Sequence, residues 1–375
     1  MYAARRIRPR TQVPLFTAVV VAFAFFAGCS SSKPASTATT QPASSASAVA
    51  VSSPTGNCTH YDDIRVMIFA GLLNNMLTFV AKDAGFFHKN CLNATLVPVA
   101  SGPAGISQVL SGDLQFSDSS FDNVILARAK GLAIRVVTGE STGVAYALTA
   151  RKSLPLPDLS KGYPAVMKNL VGKKIGVFGL GTGSELFVRA LFQGAGLSPD
   201  SATYIGVGSV PTQLTALQNG SVDAIMTADP GDQIAVQEGF GQVVVNLATG
   251  EGPSEVRTMG GTFQVKVASE AYLKSHADVA RRFVEAYREA NAWVHDPANL
   301  DALARIMVAR AGVATTVPNA EQLNRQLAQL WAGHAGVDVS RASVDAWEKF
   351  ETHFGNLKSP VSFSDVVWAG APTAP

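Results

Sequence analysis

Two stretches of this chain repeat one another at an offset of 108 to 109 residues. Ile64-Arg65-Val66-Met67-Ile68-Phe69 resembles Lys173-Lys174-Ile175-Gly176-Val177-Phe178, and Ala94-Thr95-Leu96-Val97 matches Ala202-Thr203-Tyr204-Ile205. At the same offset Ile106–Phe116 (ISQVLSGDLQF) parallels Leu214–Ala224 (LTALQNGSVDA), with Gly112 set against Gly220. In each copy an apolar helix is predicted to end at the Gly, which tolerates a left-handed exit, and a short strand follows two residues later. Two copies predict two similar lobes and not a solenoid. The alternation of strand and helix from residue 62 onward predicts an α/β fold with parallel sheets.

In parallel α/β lobes a ligand site lies beyond the C-terminal ends of the strands, so two facing lobes put it in the cleft between them. The loops predicted to line it are Ala70–Thr78, Ser117–Asp122 after a strand at Leu114–Phe116, and Gly139–Thr142 after one at Ile134–Val137. The second lobe is predicted to supply Gly179–Ser184, Gly206–Val210 and Thr227–Asp232. Residues 271–356 read as amphipathic helices, including Ala277–His295 and Ala320–Gly333, predicted to pack on the first lobe.

The N-terminus speaks to compartment. Arg5, Arg6, Arg8 and Arg10 precede Leu15–Ala27, a thirteen-residue apolar stretch with one Thr. As a helix it would rise about 20 Å, short of a roughly 30 Å hydrocarbon core, so 1–28 reads as a signal peptide. Phe26-Ala27-Gly28-Cys29 is similar to the bacterial lipobox, which predicts lipidation of Cys29; a plain secretory signal is the alternative. Residues 29–56, rich in Ser, Thr, Ala and Pro, read as lipid anchor and flexible tether. Without the four arginines the chain has 26 basic and 28 acidic residues, a net −2, which gives no global pull toward nucleic acid. With Cys29 lipidated, Cys58 and Cys91 remain as a pair in an oxidising compartment. Each precedes a predicted strand (Ile64–Phe69 and Asn93–Val99), and adjacent parallel strands would bring them together as a disulfide.

Five segments in order carry a family resemblance: IRVMIFAGLLNNMLTFVAKDAGFF, SGDLQFSDSSFDNVILARAKG, VGKKIGVFGLGTGSELFVRALFQGAGL, LTALQNGSVDAIMTADP and SEAYLKSHADVARRFVEAYREANAWVHDPAN. Together they span most of residues 62–300. The sequence resembles an ABC-transporter substrate-binding protein of the nitrate/sulfonate/taurine type, a group that includes thiamine-pyrimidine-precursor binders. The resemblance implies a two-lobed type II periplasmic-binding-protein fold, α/β, with two crossover strands near Ala145–Lys152 and Met259–Val267, and C-terminal helices. Residues 57–148 with 262–375 would form the first lobe and 149–261 the second. The implied function is capture of a small polar solute and delivery to an ABC permease and its ATPase, by a monomer anchored at the outer side of a membrane. A ligand-binding lipoprotein acting as sensor or adhesin is the alternative.

The loop residues suggest the ligand contacts. Gly179-Leu-Gly-Thr-Gly-Ser184 lacks the sixth Gly of GxGxxG and the Lys of a P-loop, so it reads as a strand turning into a helix. Thr182, Gly183 and Ser184 at that helix start would either meet an anion or carbonyl oxygen or simply cap the helix. Asn74 and Asn75 hold the corresponding place in the first lobe, with the same two readings. Ser117, Asp118 and Ser119 follow a strand, and Asp118 is either a ligand contact or a helix cap. Glu140 and Asp229 complete an acidic set, and Arg257 is the cationic candidate. Three carboxylates point to a ligand bearing amine or amide N–H groups, such as an aminopyrimidine, more than to an anion, which needs a cationic clamp. No GxSxG, HExxH or paired Cys motif suggests catalysis or a metal, and no cofactor is implied.

Overall fold

The computed structural model describes residues 58–69, 72–311 and 319–375. The signal peptide, Cys29 and the tether lie outside the described residues, as do residues 70 and 71 of the first predicted cleft loop.

The first half opens with β1 (Asp62–Ile68), α1 (Met76–Asp83), α2 (Phe86–Lys89), β2 (Leu92–Pro98) and α3 (Gly102–Ser111). It continues with β3 (Ser117–Ser120), α4 (Phe121–Ala129), β4 (Ile134–Ser141) and β5 (Tyr146–Arg151). Then come β6 (Lys174–Val177), α5 (Gly183–Gly194), β7 (Thr203–Gly206), α6 (Val210–Gln218), β8 (Ala224–Ala228), α7 (Gly231–Gln237) and β9 (Gly241–Asn246). Next are α8 (Ser254–Met259), β10 (Gln264–Ser269), α9 (Glu270–Ser275), α10 (Ala277–Val294), α11 (Leu300–Ala311) and α12 (Ala320–His334). The chain ends with β11 (Val339–Ser340), α13 (Arg341–His353), α14 (Phe363–Val366) and β12 (Thr373–Ala374).

The repeat read in the sequence becomes two sheets of the same design. The second has strand order β7-β6-β8-β5-β9, parallel except for β5, which runs antiparallel to β8 and β9. In the first, β1 pairs in parallel with β2, Val66 bridges to Phe116, and β10 lies antiparallel between β3 and β4. Each lobe therefore receives one reversed strand: β5 arrives in the second sheet straight from β4, and β10 returns to the first. These are the two crossovers expected at 145–152 and 259–267. Gly112 (φ 86°) and Gly220 (φ 79°) take the left-handed conformation after α3 and α6, the exit that selected Gly at both repeat positions.

Two loop expectations need correction. Ser117–Ser120 is strand and Phe121 already starts α4, because β10 provides backbone partners for residues 117–120. Likewise β4 runs on through Ser141, because β10 continues to pair with it as far as Gly139 and Ser141.

Helix α10 buries Val279, Ala280, Phe283, Val284, Ala286, Tyr287, Ala290 and Val294, one stripe at helical spacing. Phe283 stacks on Phe116 at 3.7 Å between ring centroids, which seats α10 on the first sheet as expected. Helix α13 departs from that expectation. Its Trp347 and Phe350 meet Phe187 of α5, at 5.7 and 5.8 Å between centroids. Trp347 Nε1 also donates to the Thr262 carbonyl at 3.0 Å, just before β10. This helix thus packs against second-lobe α5 and α8 as well as first-lobe α4.

Candidate functional site

Strand ends of both lobes carry the polar residues picked out in the sequence, but the first lobe spends much of its charge internally. Asp118 at the middle of β3 and Glu140 near the end of β4 flank Lys266, the partner of Asp118 in the β10 register. All three side chains are buried. Lys266 Nζ pairs with Asp118, lies 3.4 Å from Glu140 Oε2 and points at the Met67 carbonyl at 3.4 Å. Asn75 Nδ2 donates to Asp118, while Asn75 Oδ1 accepts from the Phe69 amide at 2.6 Å. Thr78 donates its amide (3.0 Å) and its hydroxyl (2.9 Å) to the two Glu140 oxygens, and its hydroxyl also meets the Tyr287 hydroxyl at 2.6 Å. Burial raises the Asp118 carboxyl, and Lys266 pulls it back.

Asp118 and Glu140 are therefore not two free carboxylates facing the cleft: they belong to a buried network that ties β3, β4, β10, α1 and α10 together. Asn75 is part of that network and makes no side-chain cap on α1. Asp118 caps nothing either, since Ser120 occupies the position before α4. The Ser117 hydroxyl is directed at Met67 Sδ, 3.1 Å away.

Several buried oxygens at the strand ends have no partner within the protein. They include Asn74 Oδ1, Ser119 Oγ, Ser141 Oγ and Gln264 Oε1 in the first lobe and Thr227 Oγ1 in the second, where the Asp229 carboxyl also pairs with that of Asp232. Gln264 pairs in register with both Ser120 and Ser141, so the first-lobe group gathers at one end of its sheet. Asp229 follows β8 and accepts from Gln233 Nε2 at 3.0 Å. Burial raises its carboxyl and that of neighbouring Asp232, and Asp229's charge pushes Asp232 up further.

His334, at the end of α12, completes this region. Its carbonyl accepts from the Thr142 amide at 2.7 Å, and the next residue, Ala335, bridges to Ser141. Burial lowers the His334 pKa while Asp229's charge raises it, which links a C-terminal helix to the second lobe.

The turn after β6 is closed on itself. Thr182 Oγ1 donates to the Gly179 carbonyl at 2.7 Å and meets Ser184 Oγ at 2.9 Å, and Ser184 Oγ accepts from the Phe178 amide at 3.1 Å. Thr182 makes no side-chain cap. Gly183 abuts Asp122 of the first lobe: a Cβ at 183 would lie 3.1 Å from Asp122 Oδ2.

Arg257 is placed elsewhere. Residues 254–259 form α8, with Val256 and Met259 inward, so Arg257 is exposed and donates to the Gly252 carbonyl at 2.8 Å. A groove of about 750 Å³ lined by Gln193, Glu255, Lys349 and Phe350 among others also lies off the strand ends.

The sequence reading missed Lys266, Gln264 and His334, and it placed Ser141 and Thr227 in cleft loops without singling them out. Lys266 had a signal, a charge inside the apolar run Val265-Lys266-Val267-Ala268, which in a buried strand demands a partner. His334 had none, since a single His at a helix end reads as surface.

With this geometry in view, comparison with known proteins places the molecule. The sequence profile described as NMT1/THI5 like matches residues 73–299. The chain belongs to the NMT1/THI5-like family. No curated protein matches it.

Solved structures share the fold across both lobes. A ligand-binding component of an ABC-type import system from Staphylococcus aureus, with zinc bound, is 15% identical with a TM-score of 0.65, over 82% of this chain and 96% of that one. The alkanesulfonate-binding protein SsuA from Xanthomonas axonopodis pv. citri, bound to MOPS, is 14% identical with a TM-score of 0.64, over 83% and 99%. The nitrate-binding protein NrtA from Synechocystis PCC 6803 is 11% identical with a TM-score of 0.60, over 81% and 84%. At such identities the likeness is one of fold, the two-lobed periplasmic-binding-protein architecture.

A pH dependence follows from the lobe boundary. Glu351 of α13 is buried, and burial, then the charge of Asp122, raises its pKa from 4.5 to about 7. A raised carboxyl holds an extra proton in the folded state, so its contribution is complete below pH 4.5 and declines as pH rises toward 7. Calorimetry is expected to show lower stability at pH 8 than at pH 5. About 2–3 kcal/mol of that difference should be absent in Glu351→Gln; an equal slope in the variant would assign the proton elsewhere.

Proposed function

We propose that this protein captures a small solute rich in N–H donors in the cleft between its lobes and hands it to an ABC permease. The carrying observation is the set of buried polar groups toward the strand ends, partnerless at Asn74, Ser119, Ser141, Gln264 and Thr227, with the buried Asp229–Asp232 carboxyl pair beside Thr227. Buried polar groups of this kind are costly unless a ligand pairs with them: the hydroxyls and carboxamides can donate or accept, and the ionised Asp229 carboxylate calls for a donor. Cationic groups that could clamp an anion are committed: Lys266 to two carboxylates, and Arg257 outside the cleft. An aminopyrimidine would meet the Asp229 carboxylate with its N–H groups, whereas a sulfonate or nitrate would face that carboxylate oxygen with oxygen. The leader and Ser-rich tract support anchoring through lipidated Cys29, which would hold the protein beside its permease.

Isothermal titration of the purified protein with aminopyrimidines, taurine, alkanesulfonates and nitrate tests this. An aminopyrimidine is expected to bind, and Asp229→Asn is expected to weaken it at least tenfold, about 1.4 kcal/mol. Binding of a sulfonate or nitrate alone would overturn the donor-rich reading.

A further inference from the structure

The N-terminus of α5 is where a two-lobed protein of this kind could seat an anion, since its first amides have no intrahelical partner and carry the positive helix end. Here a side chain from the opposite lobe is already in that place. Asp122, in the first turn of α4, is 3% exposed. Its carboxyl lies against Gly183, the first residue of α5; burial raises its pKa, while the Ser120 hydroxyl, the amides of its own first turn and, after them, the Gly183 amide lower it. Gly183 permits the approach, because a side chain there would crowd Asp122 Oδ2 at 3.1 Å. Asp122 Oδ1 has no partner within the protein, and neither does Oε1 of nearby Glu351.

We propose that Asp122 is a specificity residue and interlobe latch: its tethered carboxyl fills the oxyanion seat of α5, holds the lobes together there and excludes anionic groups from the closed cleft. The inference rests on the cleft being the ligand site, and it deepens the reading of a donor-rich solute. A free sulfonate, carboxylate or nitrate would have to displace a group that the fold holds at effectively high local concentration. A ligand with amine or amide N–H groups has no such competitor.

Two measurements on the purified protein test it. Titration with methanesulfonate and nitrate at constant ionic strength is expected to give at least tenfold tighter binding in Asp122→Ala than in wild type. Equal affinity in the two would overturn the proposal. Hydrogen exchange at the Gly183 amide needs no ligand: it is expected to be slow in wild type, at least tenfold faster in Asp122→Ala, and slow again in Asp122→Asn, whose amide oxygen still accepts. Fast exchange in wild type, or no change in Asp122→Ala, would overturn the latch. If aminopyrimidines fail to bind while both Asp122 results hold, the donor-rich reading falls and this inference stands.

Discussion

Replacing Lys266 with Met is expected to destabilise the protein by about 3–5 kcal/mol, the usual cost of leaving a buried charge without its partner. The ammonium is fully buried between Asp118 and Glu140, and neither carboxyl has another cation beside it among the described residues. Once Lys266 is gone, two like charges face each other away from water, and they can escape only by taking up protons. Their folded pKa values then rise, so the penalty is expected to be smaller at pH 5 than at pH 8. Denaturant unfolding of Lys266→Met at both pH values checks the direction: a cost independent of pH would mean that lost packing, not charge, is responsible. Adding Asp118→Asn and Glu140→Gln to Lys266→Met is expected to recover at least half of the loss, since an uncharged cluster of similar volume has far less to desolvate. Function should fall with stability. The network fixes crossover strand β10 to the start of α1, and Gln264 and Asn74, two residues proposed to meet the ligand, adjoin those elements.

That network also shows where the sequence stopped being informative. Local signals carried the fold: the repeat at 108 to 109 residues became two sheets of one design, and Gly112 and Gly220 closed the helices they were expected to close. Caps, periodicity and turns are written in neighbouring residues, so a single chain reveals them. The candidate site depends instead on pairs such as Asp118 with Lys266 and Thr78 with Tyr287, which are 148 and 209 residues apart. Position near a strand end singled out Asp118 and Glu140, yet it could not say whether they face a ligand or a lysine. Arg257 failed for a related reason. The route back to the first lobe is a helix with its own inward face, and the arginine falls on the other side. Only Lys266 left a trace, as a charge in a strand otherwise fit for burial.

Removing the Cys58–Cys91 bond is expected to cost about 3–4 kcal/mol on the loop-entropy model, because it closes an interval of 33 residues. The bond joins the approach to β1 with the residue before β2, and those strands pair in parallel over their whole length. Native contacts there would survive its loss: the Asp62 amide donates to the Cys91 carbonyl at 3.1 Å, and Arg282 donates to that carbonyl at 3.0 Å and pairs with Asp62. The effect should therefore fall on the unfolded chain and leave the folded geometry in place. Calorimetry of Cys58→Ser with Cys91→Ser is expected to show a melting temperature lower by roughly 6–12 °C. Wild type treated with a reductant should match the variant, and the variant should not respond to reductant. Equal melting temperatures of wild type and variant would mean that the unfolded state gains nothing from opening this loop. Ligand affinity measured well below the transition is expected to stay within twofold of wild type, because the bond sits at the N-terminal ends of β1 and β2. The proposed ligand end is the opposite one, where Ser119 and Gln264 lie in the β3–β10 pairing. A covalent clamp thus closes the N-terminal ends of β1 and β2, and a variant that loses stability and affinity together would show that the proposed ligand end is mechanically coupled to it through β1.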